Sequence, residues 1–164
     1  RIYRKSLTLV ENELHEQVVQ SLNQLARIYH HFQDYDKAIE FYNKGISYYL
    51  KHPNGKIICI LYSNLGKALG LVKKKEEQVK AFIKGLDYAD KLRDYQSKFL
   101  FLNNLGWMYM NLEQYGKAEK YLLEKGLNCA RWSGDVHYPF FKESTAADHR
   151  LNVCVKTVCA SHEQ

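Results

Sequence analysis

Apolar and polar positions along this chain follow the period of an amphipathic helix, and the pattern returns about forty residues later. The first stripe has apolar side chains at the i, i+3, i+4 and i+7 positions that mark one face of a helix. Its members are Leu22, Leu25, Ala26, Ile28, Tyr29 and Phe32. After a polar break at 33–34, a second stripe begins at Tyr35 and ends before Pro53 and Gly55, which stop helices. The segment therefore predicts two helices joined by a short turn.

A leucine followed by a small residue marks each copy of this pattern. The pairs are Leu25-Ala26, Leu65-Gly66 and Leu105-Gly106. A fixed period in this range is typical of stacked helical repeats. The later copies predict helices at about 56–72, 76–92, 95–111 and 115–131. The expected fold class is therefore all-α, a right-handed superhelix (α-solenoid) of antiparallel helix pairs.

The small residues have a steric explanation. Gly66 and Gly106 fall in mid-helix, where glycine costs about 1 kcal/mol relative to alanine, so the absent side chain should let a neighbouring helix approach closely. Ala38 and Ala118 take the matching small position on the second helices, whereas the second copy carries Gln78 there. We therefore expect the weakest helix packing in the second copy.

The repeat divides the chain into five segments. Residues 1–13 align with a second helix and predict the remainder of a truncated repeat, which favours the interpretation that the sequence is a fragment. Three complete repeats are predicted at 14–53, 54–93 and 94–132. Residues 133–164 lack the Leu-Gly pair and predict a capping helix or a frayed tail.

The motif Leu-Gly-x-x-Tyr, followed by a polar turn and Ala-x-x-x-aromatic, resembles the tetratricopeptide repeat (TPR). The third copy carries it as Leu105, Gly106, Tyr109, Tyr115, Ala118 and Leu122. The first copy carries it as Leu25, Ala26, Tyr29, Tyr35, Ala38 and Tyr42. The resemblance covers about residues 16–131, and it implies a binding module, not an enzyme, whose first helices line a concave groove.

The same resemblance implies that polar residues around each Leu-small pair face the groove and bind a short peptide or an extended segment of a partner protein. Asparagine amides both donate and accept hydrogen bonds, which suits a peptide backbone. The cations would meet a carboxylate, and the indole an apolar side chain. The peptide-binding residues expected are Asn23, Arg27, Asn64, Lys67, Asn103, Asn104 and Trp107. The alternative is that they are ordinary polar residues of a solvated helix face.

Two families with TPR-like units near forty residues are similar to this chain. Its Lys-, Tyr- and Asn-rich composition and its paired Asn103-Asn104 resemble the peptide-pheromone sensors of Gram-positive bacteria (the Rap, NprR and PlcR group). That resemblance implies the ligand-sensing part of a bacterial cytosolic regulator in quorum sensing, with a homodimer among its expected associations. The alternative is a constitutive scaffold or adaptor, as in the polarity scaffolds typified by Pins. Of the carboxylate clamp of chaperone-binding TPR domains, little beyond Asn64 is present.

Charge and hydropathy change this picture little. The net charge of +6 is spread along the chain, and its densest cluster, Lys73-Lys74-Lys75, precedes Glu76-Glu77 at a predicted turn. Because no nucleic-acid motif accompanies the cluster, direct nucleic-acid binding is not expected. No apolar run is long enough to span a membrane, and the four cysteines form no CxxC pair, so we expect a cytoplasmic protein with reduced thiols.

No catalytic constellation, cofactor or metal site is expected from the sequence. His149, Cys154, Cys159 and His162 lie close together along the chain, but their spacing scatters them around a helix, whereas zinc needs converging ligands. Cys59 fits a buried small apolar residue better than a nucleophile. The pair His30-His31 fits a helix C-terminus, where the helix dipole favours basic groups.

Overall fold

The computed structural model describes the backbone of residues 2–132 and the side chains of residues 11–125. Within this range the chain is helical, without strands. The helices are α1 Ile2–His31, α2 Tyr35–Lys51, α3 Ile57–Leu71, α4 Lys75–Lys91, α5 Tyr95–Asn111 and α6 Tyr115–Trp132. We call α1, α3 and α5 the first helices and α2, α4 and α6 the second helices. The predicted all-α, α-solenoid class is confirmed, and α3 to α6 begin and end within a residue or two of the predicted bounds.

Helix α1 differs from the prediction. A separate helix was expected over residues 1–13, but Ile2–His31 is a single helix of 30 residues. The chain has no glycine or proline before Gly45, so nothing interrupts the i to i−4 hydrogen bonds of α1. The assignment of residues 1–13 to a preceding repeat, and the other repeat boundaries, stay predictions. The segment 133–164 lies outside the described residues.

Two compact units make up the chain, Arg1–Phe101 and Leu102–Gln164. In the first unit, α1 packs against α2 and α3, and α3 packs against both α2 and α4. The core of this unit includes Val19, Tyr42, Ile58, Leu61 and Phe101, each at most 1% exposed. In the second unit, Leu102, Leu105 and Ala118 are similarly buried.

The mid-helix glycines allow close helix contacts, as predicted. A Cβ atom on Gly66 would lie 2.7 Å from Cδ1 of Phe82 on α4, inside van der Waals contact. A Cβ atom on Gly106 would lie 2.7 Å from Cδ2 of Leu122 on α6. In both repeats the second helix places a large apolar side chain directly over the glycine of the first.

The expectation that the second copy packs most weakly stays a prediction, but Gly70 makes room for the larger side chain of Gln78. A Cβ atom on Gly70 would lie 3.0 Å from Cδ of Gln78, so the amide group occupies the space above the glycine. In the other copies the small residue is an alanine on the second helix, and the residues at the position of Gly70 are His30 and Met110. In the second copy the small residue of this contact is therefore on the first helix, and the large residue is on the second.

A left-handed residue ends the preceding helix at each three-residue turn. Gln33, Lys73, Arg93 and Glu113 have φ values of 51° to 62°. At the second of these turns, the N–H of Lys74 donates to the carbonyl of Leu69 at 3.0 Å, and each of the other turns has the same bond. This is the Schellman arrangement, which satisfies carbonyls at the helix end and usually employs glycine.

Glycine at position 73 is expected to stabilise the fold. The left-handed conformation costs a non-glycine residue about 1–2 kcal/mol, and the entropy of glycine in the unfolded chain offsets part of the gain. Lys73→Gly should therefore raise the free energy of unfolding by about 0.5–1 kcal/mol, measured by urea denaturation. Lys80→Gly, in the exposed interior of α4, is the control and should lower it by about 1 kcal/mol. A loss of stability with Lys73→Gly would contradict the prediction.

Candidate functional site

Asn23 and Asn64 meet between the first helices α1 and α3. The Nδ2 atom of Asn64 donates to Oδ1 of Asn23 at 3.2 Å. Asn23 is only 5% exposed, whereas Asn64 is half-buried. The hydrogen bond satisfies the buried acceptor and holds the Asn64 amide in one orientation. Asn64 keeps a second amide hydrogen and its carbonyl oxygen for other partners.

Two cations lie on the exposed side of the same helices. Arg27 and Lys67 occupy equivalent positions forty residues apart, and both are exposed. Nη1 of Arg27 donates to Oε1 of Gln24 at 3.1 Å, one turn earlier on α1. Lys67 follows Asn64 by three residues, so it lies on the same side of α3. The structure therefore brings the four predicted residues of the first unit onto two adjacent helices.

Sequence reasoning missed two apolar residues on this face of α3. Ile60 is 48% exposed and Leu71 is 52% exposed. With Asn64 and Lys67 they occupy positions i, i+4, i+7 and i+11, which is one stripe of a helix. The apolar run from residue 57 to residue 61 could have indicated this surface. Five consecutive apolar residues point to all sides of a helix, so some of them are exposed unless neighbouring helices surround it. We call Ile60, Asn64, Lys67 and Leu71, together with Arg27, the α1–α3 face.

The second unit contains the other three predicted residues, all on α5. Oδ1 of Asn103 accepts a hydrogen bond from Nζ of Lys125 on α6 at 2.7 Å, so this amide joins the two helices of its own repeat. Asn104 is half-buried, and Trp107, three residues further on, is 55% exposed. An amide and an accessible indole thus lie on one side of α5.

Burial is the main cause of the raised pKa values of titratable groups on and beside these helices. Cys59 on α3 is fully buried, and burial together with the Asp94 charge raises the pKa of its thiol to about 11. A thiol with this pKa is a poor nucleophile, so the interpretation of Cys59 as a buried small residue is confirmed. Burial also raises the pKa of Tyr42, and the positive charge of Arg27 opposes that rise.

Within the described residues, no group of three or more His, Cys, Asp or Glu side chains is placed to hold a metal ion. None of the described helices combines the length and the apolar character needed to cross a bilayer. The cluster from His149 to His162 lies outside the described part of the chain. Helix α1 ends at His31, as the pair His30-His31 predicted.

The helix pairs that recur along the fold define a class of protein, the helical-repeat proteins. Two segments of the chain match family models described as tetratricopeptide repeat, at residues 19–52 and 101–124. These matches support the TPR family, and TPR repeats imply a module for protein–protein interaction or binding. The first segment contains Asn23 and Arg27, and the second contains Asn103, Asn104 and Trp107.

A solved structure gives the same fold. The crystal structure of BtubC (BKLC) from P. vanneervenii is similar to this chain with a TM-score of 0.63 and 16% sequence identity. The likeness covers 79% of this chain and 53% of that chain, so the present chain spans about half the length of BtubC. At this identity the likeness shows the helical-repeat fold alone. No curated protein gives a significant match.

Proposed function

We propose that the first unit binds a short extended peptide on the α1–α3 face, and that the chain is the ligand-sensing part of a cytosolic bacterial regulator. The hydrogen bond between Asn23 and Asn64 carries this proposal. An amide already held in one orientation can pair with a peptide backbone without losing further side-chain freedom, which favours binding. Asn23 is then a positioning residue, and Asn64 is the residue that contacts the ligand.

The chemistry of the face specifies the ligand. Arg27 and Lys67 suit a carboxylate, either a side chain or a free C-terminus. Ile60 and Leu71 suit apolar side chains, whose burial contributes about 25 cal/mol per Å² removed from water. The ligand is therefore a peptide that combines apolar residues with at least one negative charge. In the second unit, we assign Asn104 and Trp107 to a ligand contact and Asn103 to the bond with Lys125.

The proposal is tested with peptides selected from a displayed heptapeptide library against the 164-residue chain. Calorimetry then compares the best peptide on the wild type and on variants. Asn64→Ala should weaken binding by roughly 5- to 150-fold, because a lost hydrogen bond to a buried partner costs about 1–3 kcal/mol. Lys67→Ala should weaken it less, since exposed ion pairs contribute about 1 kcal/mol or below. Lys84→Ala, an exposed cation on α4, is the matched control. Equal affinities for wild type and Asn64→Ala would refute the site.

The second candidate function is a constitutive scaffold, which the exposed Ile60 and Leu71 also favour because apolar surface suits a longer protein segment. Hydrogen exchange with the selected peptide separates the two functions. A sensor should change its amide protection beyond the contacted helices or change its oligomeric state. A scaffold should gain protection at α1 and α3 alone.

A further inference from the structure

One side of α1 carries exposed apolar residues in a continuous stripe. Leu14, Val18, Ile28 and Phe32 are 56%, 40%, 52% and 74% exposed. Ser21 and Leu25 lie between them, and all six residues fall within about 40° of one line along the helix. We call Leu14, Val18, Ser21, Leu25, Ile28 and Phe32 the α1 stripe. A row of exposed apolar side chains of this kind marks an interaction surface.

The internal repeat shows that such a stripe contacts a second helix. Forty residues later, the equivalent positions on α3 are buried, at most 6% exposed, and they include Ile58, Leu61, Leu65 and Ala68. Helix α3 packs against α2, the second helix of the preceding pair. Leu61 lies over a glycine of α2, so closely that its Cδ2 would lie 3.2 Å from a Cβ atom on Gly45. The α1 stripe therefore continues the register of an established interface between a first helix and a second helix.

The contact over a glycine recurs, but α1 lacks the residue that makes it. In the next copy, Cε2 of Phe101 on α5 would lie 2.9 Å from a Cβ atom on Gly85 of α4. Where α3 has Leu61 and α5 has Phe101, α1 has Ser21. A shallow hollow lies at this smaller residue, lined by Gln17, Gln20, Ser21, Gln24, Leu25 and Ile28. A helix that covers the α1 stripe closely therefore needs a large apolar side chain opposite Ser21.

This requirement decides which kind of helix suits the stripe. The second helices of this chain all carry glycine at the matching position, as Gly45, Gly85 and Gly126. A helix with that glycine would leave the hollow unfilled. A second copy of α1 paired about Ser21 would set serine against serine, with the same result. The hollow therefore favours a helix from a different protein.

We propose that the α1 stripe docks an amphipathic helix of a partner protein, whose central large apolar residue enters the hollow at Ser21. Among the described residues that line the hollow, three are glutamines and none is charged. The affinity should therefore depend little on salt concentration. A contact through one helix belongs to the small interfaces of transient complexes. The proposal does not depend on peptide binding at the α1–α3 face, because Asn64 and Lys67 lie on α3.

A helical peptide with the α2 sequence, Tyr35–Lys51, is the probe, because α2 covers the equivalent stripe of α3. Glu40 and Lys44 form an exposed salt bridge one turn apart, and a lactam in its place holds the free peptide helical. Fluorescence anisotropy compares the native peptide with a Gly45→Leu peptide on the 164-residue chain. The Gly45→Leu peptide should bind at least tenfold more tightly, because its leucine fills the hollow.

The complementary change in the chain is Ser21→Leu, which restores a large residue at the position equivalent to Leu61. This variant should reverse the order of the two peptides, because its leucine needs the glycine of the native peptide. Val18→Glu should weaken binding of the Gly45→Leu peptide at least tenfold. Ile83→Glu on α4 is the control, since Val18 and Ile83 are both 40% exposed, and it should leave the affinity unchanged. Asn64→Ala should also leave it unchanged, which separates this surface from the peptide site.

Three results of these titrations would overturn the proposal: no binding of either peptide, equal affinities for both, or an order that Ser21→Leu does not reverse. Sedimentation equilibrium of the chain alone tests the other occupant. Self-association that Val18→Glu abolishes would place a second copy on the α1 stripe, and it would overturn the proposal as well.

Discussion

Replacing Gly66 by alanine is expected to lower the free energy of unfolding by about 2 kcal/mol. A Cβ atom there would lie 2.7 Å from Cδ1 and 2.8 Å from Cζ of Phe82, which is only 2% exposed. The ring also packs against Phe101, whose ring centroid is 6.1 Å away. Overpacking of this kind costs about 1–3 kcal/mol, and the better helix propensity of alanine returns at most about 1 kcal/mol.

Gly116→Ala is the matched control, because the same methyl group meets nothing within 4 Å at that position on α6. That variant should be neutral or more stable by up to about 1 kcal/mol. Urea denaturation followed by circular dichroism measures both. The double variant Gly66→Ala with Phe82→Leu should recover part of the loss, since the smaller side chain makes room for the methyl group. If Gly66→Ala behaved like Gly116→Ala, the close contact between α3 and α4 would be wrong.

The helices and their pairing were predictable from the sequence because the signals are local. The Leu-small pairs fix where each first helix lies, and the breaks at residues such as Asp34 and Pro53 fix where helices end. The continuity of α1 was not predicted, although its cause is also local. The alignment of residues 1–13 with a second helix predicts a break after residue 13, whereas the absence of glycine and proline before Gly45 leaves the helix continuous.

Features that depend on a contact between two helices could not be predicted by comparing equivalent positions of the repeats. Gly70 is smaller, and Gln78 larger, than the residues at the same positions of the other copies. Only the contact between them in the structure shows that the two differences compensate. The same holds for Asn23, which pairs with Asn64, 41 residues later, so the bond joins non-equivalent positions of two repeats. Sequence therefore suggested the polar residues of the candidate site but not the hydrogen bond that joins two of them.

The apolar part of the candidate site was also missed for a physical reason. Ile60 and Leu71 are apolar, and apolar residues are usually buried, so residue type alone gave no reason to place them at a surface site. Helix α3 packs on α2, α4 and α1, yet these neighbours leave one stripe of the helix uncovered. Which stripe stays uncovered depends on the arrangement of the neighbouring helices, and it became visible only in the structure.

Alkaline pH is expected to destabilise the first unit through Cys59. The folded thiol has a pKa of about 11, raised from 9.0 by burial and by the Asp94 charge. Between these values the unfolded chain loses the proton while the folded chain keeps it. The stabilisation is therefore fully present below pH 9.0 and is lost as the pH rises through about 11. Each pKa unit corresponds to about 1.4 kcal/mol, so the loss from this thiol alone is on the order of 3 kcal/mol.

Buried tyrosines should act in the same direction. Burial raises the pKa values of Tyr42, Tyr49 and Tyr62, so the folded state also holds their protons to higher pH than the unfolded chain does. Urea midpoints measured from neutral to alkaline pH give the total slope. Cys59→Ala separates the contributions: it should cost on the order of 1 kcal/mol at neutral pH and flatten the slope above pH 9.0. An unchanged slope in Cys59→Ala would mean that the tyrosines alone set the alkaline limit of the fold and that the thiol is less buried than its position on α3 requires.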